Sequence, residues 1–345
     1  MPNTILVTGG TGYIGSHSCV CLLAAGFDVV VLDNFSNSHP QAAARVEQIA
    51  GRPVTLVQGD VRDRALLEQV FLEHKIHAVM HFAGLKAVGE SCLKPLLYHD
   101  NNVAGTIALL NSMQAAGVTR LIFSSSATVY GAPQQMPVTE MAALHACNPY
   151  GSSKLAVENM LRELCRAGVE AVWQVALLRY FNPAGAHESG LMGENPHGTP
   201  NNLPPFIAQV AAGKRESLPV FGNDYATHDG TGVRDYIHVM DLARGHVLAL
   251  EKLLSLPPTP FCRPYNLGTG QGCSVLEMIK TFEQVNGVTV PYHIAARRAG
   301  DVAACWADPT RAQVELGWHA EKTLHNMLAD SWRWQCANPE GYGAP

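Results

Sequence analysis

Tyr150 and Lys154 stand four residues apart, just after Asn148-Pro149, where a helix over 150–166 is expected to begin. On a helix that spacing puts both side chains on one face. A phenol has a pKa near 10, too high for a base at neutral pH. A neighbouring ammonium stabilises the phenolate and lowers that value. Such a tyrosine can take or give a hydroxyl proton. A run of three serines, Ser124-Ser125-Ser126, follows the short apolar strand Leu121-Ile122-Phe123. Ser126 is the third candidate, able to orient a reacting hydroxyl and share its proton. Ser124 or Ser125 could carry that contact instead, or simply satisfy backbone groups. A Tyr with a Lys four residues later is common, so its weight comes from its surroundings.

Those surroundings begin at the first strand. Thr4-Ile5-Leu6-Val7-Thr8 is a β-branched, apolar run that reads as a buried strand. It enters Gly9-Gly10-Thr11-Gly12-Tyr13-Ile14-Gly15, then a helix over 16–26 and a second strand over 28–32 that ends at Asp33. Strand, glycine turn, helix, strand and acid together make a dinucleotide site. Gly9 permits the turn, Gly12 lets a diphosphate approach the backbone, and Gly15 allows close packing. Free amides at the helix start bind the anion. Asp33 can accept from adenosine ribose hydroxyls and would repel a 2′-phosphate, which favours NAD over NADP. With a nicotinamide ring in place, the proton moved by Tyr150 accompanies a hydride.

Further along, a third strand over 54–57 leads to Gly59-Asp60-Val61-Arg62-Asp63. Asp60 could reach the adenine edge; capping of the 64–72 helix is the competing role, and neighbouring acids can hold both. A strand over 78–82 opens into a loop over 83–90 crossing the cofactor side. A long helix over 101–116 and a strand over 172–178, ending at Arg179-Tyr180-Phe181-Asn182-Pro183, continue the alternation. The expected fold is α/β: a Rossmann-type doubly wound parallel sheet over 1–180, with a smaller mixed α/β substrate domain over 181–345. The boundary is soft, with some C-terminal segments returning to the first domain. After Pro183 the composition changes: 187–205 reads as a long ordered loop, and 203–212 as a helix. The smaller domain should close over the carboxyl edge of the sheet, leaving a substrate cleft between the two.

Composition narrows the partners. The chain has 345 residues, 47% hydrophobic, with net charge −5. That balance offers no general nucleic-acid or membrane footprint, and no stretch resembles a spanning helix of about 20 apolar residues. The chain enters a strand almost at once, so no signal peptide and a cytoplasmic location are expected. Nine cysteines lack metal-type spacing and read as free thiols in a reducing compartment. His74, His77 and His81, or His238 and His246, have no close acid to complete a metal set, so no metal is expected. Trp332 and Trp334 read as packing anchors.

The glycine turn, Tyr150-Gly151-Ser152-Ser153-Lys154 and Arg179-Tyr180-Phe181-Asn182 resemble the extended short-chain dehydrogenase/reductases. The resemblance is closest to members that epimerise UDP-galactose and UDP-glucose at C4. It spans nearly the whole chain, through the loop over 81–90, the segment 124–131, Pro200-Asn201-Asn202-Leu203, the segment 232–239 and Arg297-Arg298-Ala299-Gly300-Asp301. It implies a tightly held NAD and a UDP-hexose substrate. Tyr150 would take the sugar 4-hydroxyl proton while the C4 hydride passes to NAD; the 4-keto sugar turns over and both return to the opposite face. Ser126 is the catalytic serine by motif position, and Lys154 binds the nicotinamide ribose. The resemblance also implies that Gly9, Gly12, Tyr13, Ile14, Gly15, Asp33, Asn34, Asn37, Ser38, Asp60, Val61, Phe82, Ala83, Gly84, Lys86, Asn101, Ser124 and Tyr180 line the cofactor. It places the UDP-sugar against Lys86, Asn182, Asn202, Leu203, Phe221, Arg234, Arg298 and Asp301. Two arginines suit a diphosphate. Taken alone, Arg234 reads as a surface or ion-pair residue and Phe221 as core. Cys305 falls where some bacterial members carry a bulky Tyr, so room for an N-acetylated sugar is expected. A homodimer is implied, with helices over 101–116 and 150–166 as its four-helix bundle.

Three other functions compete. A nucleotide-sugar dehydratase also begins by oxidising C4, but family dehydratases usually have an Asp-Glu pair where this chain has Ala127-Thr128. A net dehydrogenase and a non-catalytic NAD-binding regulator are the others; retention of Ser126, Tyr150 and Lys154 argues against the last.

Overall fold

The computed structural model describes residues 3–168, 171–298 and 301–343. Its centre is a seven-stranded parallel sheet. In chain order the strands are β1 (Thr4–Thr8), β2 (Asp28–Asp33), β3 (Thr55–Gln58), β4 (Ile76–His81), β5 (Arg120–Ser124) and β6 (Gln174–Tyr180), joined by β11 (Phe261–Leu267). The spatial order is β11-β6-β5-β4-β1-β2-β3, and every pairing is parallel. The order reverses at β1, so the carboxyl ends of β1 and β4 splay apart there and leave a crevice.

Strands buried on both faces need apolar side chains at nearly every position, which explains the runs Ile5-Leu6-Val7 and Val29-Val30-Val31-Leu32. On one face, α1 (Tyr13–Ala24) and α2 (Gln41–Ala50) cover the sheet with α9 (Val239–Ser255) and α11 (Thr310–Leu316). On the other lie α3 (Arg64–Glu73), α6 (Gly105–Ala115) and α7 (Pro149–Ala167). Residues 101–116 do not form one regular helix as expected. Two short helices, α4 (Val88–Leu93) and α5 (Pro95–His99), run into a π-helical turn over Asp100–Ala104 before α6 starts at Gly105. A wide turn of this kind re-aims side chains inside a helix, and here it holds Asn102. The first helix starts at Tyr13, three residues earlier than the sequence suggested.

The smaller sheets lie beyond the sixth strand: β7 (Asn182–Ala184) with β10 (Tyr236–His238), β8 (Leu218–Phe221) with β13 (Tyr292–Ala295), and β9 (Val233–Arg234) between β12 (Cys273–Ser274) and β14 (Ala304–Cys305). Helices α8 (Leu203–Ala211), α10 (Val275–Asn286) and α12 (Leu324–Ala337) pack against them around Phe282, Met278 and Leu328. Trp332 meets Phe282 edge-on and Trp334 is buried, so both tryptophans anchor packing. Three segments C-terminal to residue 181 stand on the large sheet: α9 packs on α1, β11 closes the edge beside β6, and α11 packs against α9 and β11.

Candidate active site

The glycine turn is shaped by contacts that no other residue would allow. Gly9 has φ +71°, and a Cβ there would lie 2.6 Å from the Ala83 nitrogen. A Cβ on Gly15 would fall 2.2 Å from the Gly9 carbonyl oxygen, so this glycine serves the turn itself rather than helix-to-sheet packing. Gly12, extended at φ −70° and ψ 170°, precedes α1 without a side-chain cap. The first-turn amides of α1 are thus left for an anion.

Asp33 ends β2, buried, and its carboxylate is already engaged. Oδ2 accepts from the Thr11 amide at 3.0 Å; Oδ1 accepts from the Phe35 amide at 2.9 Å and the Ser38 hydroxyl at 2.8 Å. Asp33 therefore ties the glycine turn to the loop after β2, where Phe35 takes a left-handed φ of 58°. Of the two roles open for the acids after β3, the structure shows the cap. Asp63 caps α3 by accepting from the Leu66 amide. Asp60 receives the Arg62 guanidinium and the Asn34 amide, and the Arg62 hydrogen bonds hold its carboxyl well below the usual range.

Helix α7 opens with Asn148, whose side chain accepts from the Gly151 amide at 2.9 Å, and Pro149 in its first turn. A Cβ on Gly151 would meet the Thr128 carbonyl oxygen at 2.9 Å. This glycine lets α7 close on the 3₁₀ turn Ala127–Tyr130, and so sets Tyr150 beside Ser126. Ser126, Tyr150 and Lys154 are 7%, 7% and 5% exposed. The three serines separate by partner. Ser124 pairs with the Tyr180 hydroxyl at 2.8 Å, Ser125 donates to Glu158 at 2.6 Å, and Ser126 is the hydroxyl close enough to act on the Tyr150 phenol. Ser126 also caps its 3₁₀ turn, accepting from Thr128, so it holds the ordinary role and the contact with Tyr150 together.

The charge balance differs from the expectation. Burial raises the Tyr150 pKa, and the Ser126 hydrogen bond is the opposing influence. Burial also pushes Lys154 down to about 8. Its ammonium donates to the Ser124 carbonyl at 2.8 Å and lies 5.0 Å over the Phe123 ring. Desolvation decides the direction for the phenol, while the Lys154 ammonium donates to the end of β5.

Around this group, Phe82 and Tyr180 stack near the His246 ring, with centroids 4.8 and 6.1 Å away. Among the described residues Asn101 hydrogen-bonds through its side chain only to its neighbour, Asn102. It is Asn102, missed in the sequence, that brackets the loop after β4: it accepts from the Leu85 amide and donates to the Leu85 carbonyl and to Ser153 on α7. Its signal was a polar residue repeated inside a helical stretch. A Cβ on Gly84 would lie 3.2 Å from Asn102 Oδ1 and 3.5 Å from Lys154 Nζ, so any side chain there would fill the space beside the ammonium. Uncapped amides, an acid at the β2 end and a glycine-lined gap beside Lys154 fit a dinucleotide.

A second group forms in the smaller domain. Arg298 donates to Asp301 at 3.0 Å and its guanidinium lies 4.6 Å over the Phe221 ring. Arg234 approaches the other oxygen of Asp301 at 3.9 Å and donates to the Val233 carbonyl. The expectation of core for Phe221 does not hold, since its ring is a platform for Arg298 at the end of β8. Ala299 and Gly300, within the same motif, lie outside the described residues. Cys305, paired with Arg234 across β14 and β9, is buried among Val129, Val138 and Phe181, and burial raises its thiol to about 11. Asn182 sits on β7 and hydrogen-bonds through its backbone to Asp235. Leu203 starts α8, and Asn202 before it donates to Glu194 at 2.7 Å. Lys86 forms an ion pair with the same Glu194 at 3.1 Å. Asn37 accepts from the His197 amide, joining the loop after β2 to the long loop before α8. Among the described residues no group of three or more His, Cys, Asp or Glu could hold a metal ion, and no helix is long and apolar enough to cross a membrane.

Residues 6–331 match the family described as GDP-mannose 4,6 dehydratase. The chain is 59% identical over 338 residues to UDP-glucose 4-epimerase of Bacillus subtilis, covering 98% of both chains. It is 54% identical over 350 residues to the Homo sapiens enzyme of that name, covering 99% of each. Among solved structures, it matches UDP-glucose-4-epimerase from Stenotrophomonas maltophila with bound NAD and formylated UDP-arabinopyranose. That match has a TM-score of 0.94 and 52% identity over 98% of this chain and 99% of that one. UDP-glucose 4-epimerase from Bifidobacterium longum in complex with NAD+ and UDP matches with TM-score 0.94 and 53% identity, over 98% and 100%.

Proposed function

The chain belongs to the GDP-mannose 4,6 dehydratase family, on its UDP-glucose 4-epimerase branch, and from that membership we propose how its residues interconvert UDP-galactose and UDP-glucose with NAD as cofactor. The observation that carries the reading is the buried convergence of Ser126, Tyr150 and Lys154 beside the uncapped start of α1. When bound, NAD supplies the hydride acceptor for C4 and a positive ring that favours the phenolate. Tyr150 takes the proton from the sugar 4-hydroxyl. Ser126 donates to the phenol oxygen and shares that proton. Lys154 holds the cofactor ribose and keeps a positive charge near Tyr150. The 4-keto sugar then turns over; Tyr150 returns the proton to the C4 oxygen, and the hydride taken up would come back to the opposite face of C4. No net redox change results.

Arg234 and Arg298 grip the diphosphate, Phe221 packs on the uracil, and Asp301 accepts from a ribose hydroxyl. These groups also hold one another, Asp301 joining the two arginines and Phe221 supporting Arg298. Residues 1–180, with α9 and β11 returning to them, bind NAD; the rest of 181–345 binds the UDP-sugar. Elimination of water would need a further acid and base, and the two residues after Ser126 are Ala127 and Thr128, neither of which titrates. Conversion of UDP-galactose to UDP-glucose by the purified protein, without added oxidant, tests this. A dehydrated sugar, or a product that requires stoichiometric NAD, would refute it.

Three finer readings follow. Cys305 leaves room for an acetamido group, so UDP-N-acetylglucosamine is also a substrate. Cys305→Tyr should abolish that activity and keep the one on UDP-glucose; equal N-acetyl activity in both proteins rejects the reading. We also infer a homodimer through α6 and α7, flanked by Leu93 and Leu96, 83% and 84% exposed. A native mass of one chain would count against it. Nine unpaired cysteines suit residence in a reducing cytoplasm.

A further inference from the structure

Glu194 lies in the loop between β7 and α8, and its side chain is 8% exposed. One oxygen, Oε1, accepts from two donors that come from opposite sides of the cleft. Lys86 Nζ reaches it at 3.1 Å from the loop after β4, on the large sheet. Asn202 Nδ2 reaches it at 2.7 Å from the residue preceding α8, in the smaller domain. The two donors are separated by more than a hundred residues of chain, and this carboxylate is their common anchor.

The arrangement has a physical cost and a physical use. A carboxylate withdrawn from water is destabilised unless its charge is matched and its lone pairs are occupied. Lys86 matches the charge although its own side chain is 44% exposed. A lysine at such a surface samples many rotamers, and holding it removes that freedom. Asn202 is fixed by the same oxygen, so a shift of either donor is felt by the other. Tyr13, at the start of α1, lies within the field of this carboxylate as well, its own hydroxyl donating to the Gly185 carbonyl at 2.6 Å.

We propose that Glu194 is a positioning residue that sets the Lys86 ammonium and the Asn202 amide in fixed relation, and so couples the cofactor side of the cleft to the nucleotide side. The inference rests on the roles given above to Lys86 and Asn202. Glu194 itself touches neither sugar nor cofactor in this scheme. It acts through the two donors, whose proposed ligand is the nucleoside diphosphate.

The test is a mutant cycle in the NAD-loaded protein with Glu194→Gln, Lys86→Met and the double variant. KM and kcat for UDP-galactose are read alongside the dissociation constant of UDP. Glutamine keeps an oxygen for Asn202 but loses the charge that holds Lys86. Glu194→Gln should raise KM and the UDP dissociation constant about tenfold, the scale of one charge-assisted hydrogen bond, with a smaller change in kcat. In the Lys86→Met background the same replacement should change them less than twofold. Glu194→Asp should recover part of the loss. A folded Glu194→Gln protein within twofold of wild type overturns the inference, as do losses that multiply in the double variant. Should Glu194→Gln not fold, Lys86→Met with Asn202→Ala is read instead: their effects should fall short of the product, and a full product overturns the proposal. A wild type that neither converts UDP-galactose nor binds UDP refutes the proposed function first, and this inference with it.

Discussion

Arg179→Met should be among the most damaging single substitutions outside the Ser126, Tyr150 and Lys154 group, and its size follows from what it strands. Glu158, on α7 one turn after Lys154, is fully buried, and Arg179 is 1% exposed. Glu158 Oε1 accepts from Ser125 at 2.6 Å and from Arg179 Nε at 2.9 Å; Oε2 accepts from Arg179 Nη2 at 2.6 Å and from Arg162 at 2.5 Å. Burial opposes ionisation of Glu158, yet the Arg179 hydrogen bonds and charge, with Ser125 and Arg162, outweigh it and hold its pKa below the usual value. Removing Arg179 leaves the carboxylate with Arg162 as its one cation, at a cost of about 3–5 kcal/mol. Replacing both partners, as in Glu158→Leu with Arg179→Met, removes the stranded charge and should recover most of that loss. Equilibrium urea unfolding followed by tryptophan fluorescence measures both. Because Glu158 has a depressed pKa, its contribution is present above the unfolded carboxyl value of about 4.5 and is lost as pH falls through the folded one. The cost of Arg179→Met should therefore shrink in acid. A single variant that loses less than about 1 kcal/mol at neutral pH, or a double variant as unstable as the sum, would falsify the claim that this pair clamps α7 to the sheet.

Other outcomes follow from the same geometry. Tyr150→Phe should lower kcat by about 10²–10⁴ while NAD stays bound, read by turnover and by cofactor absorbance; full activity would reject Tyr150 as the proton carrier. Lys154, lowered to about 8 by burial, is penalised in its charged form below that pH and relieved as pH rises toward its unfolded value. Wild type should accordingly gain roughly 2–3 kcal/mol relative to Lys154→Met between pH 8 and 10 in the cofactor-free protein. A flat difference across that range would show that the ammonium is not buried at a cost. Gly15→Ala places a methyl 2.2 Å from the Gly9 carbonyl, so the purified variant should carry little NAD; normal cofactor content would show that the turn can yield. Asn148→Ala should destabilise by about 1 kcal/mol through loss of the α7 cap, and an unchanged urea midpoint would contradict it.

Much of the site was legible because its signals are local. Glycines at 9, 12 and 15 between two β-branched runs dictate a turn through short-range sterics. Tyr150 and Lys154 share a helix face whatever lies around them. The parallel sheet follows from the same alternation of apolar runs and helical stretches. Tertiary structure decided the rest, since those features are contacts between residues far apart in the chain. Identical neighbours such as Ser124, Ser125 and Ser126 differ only in whether Tyr180, Glu158 or Tyr150 comes to meet them. Asn102 rather than Asn101 holds the loop because a π-helical turn rotates it inward. The return of β11 to the sheet edge, the Glu158–Arg179 pair and the meeting of Lys86 with Asn202 at Glu194 have no periodicity to announce them. Burial also settled the charge balance: spacing placed an ammonium near a phenol, but desolvation, which depends on everything packed around both, moved the phenol upward and the ammonium downward.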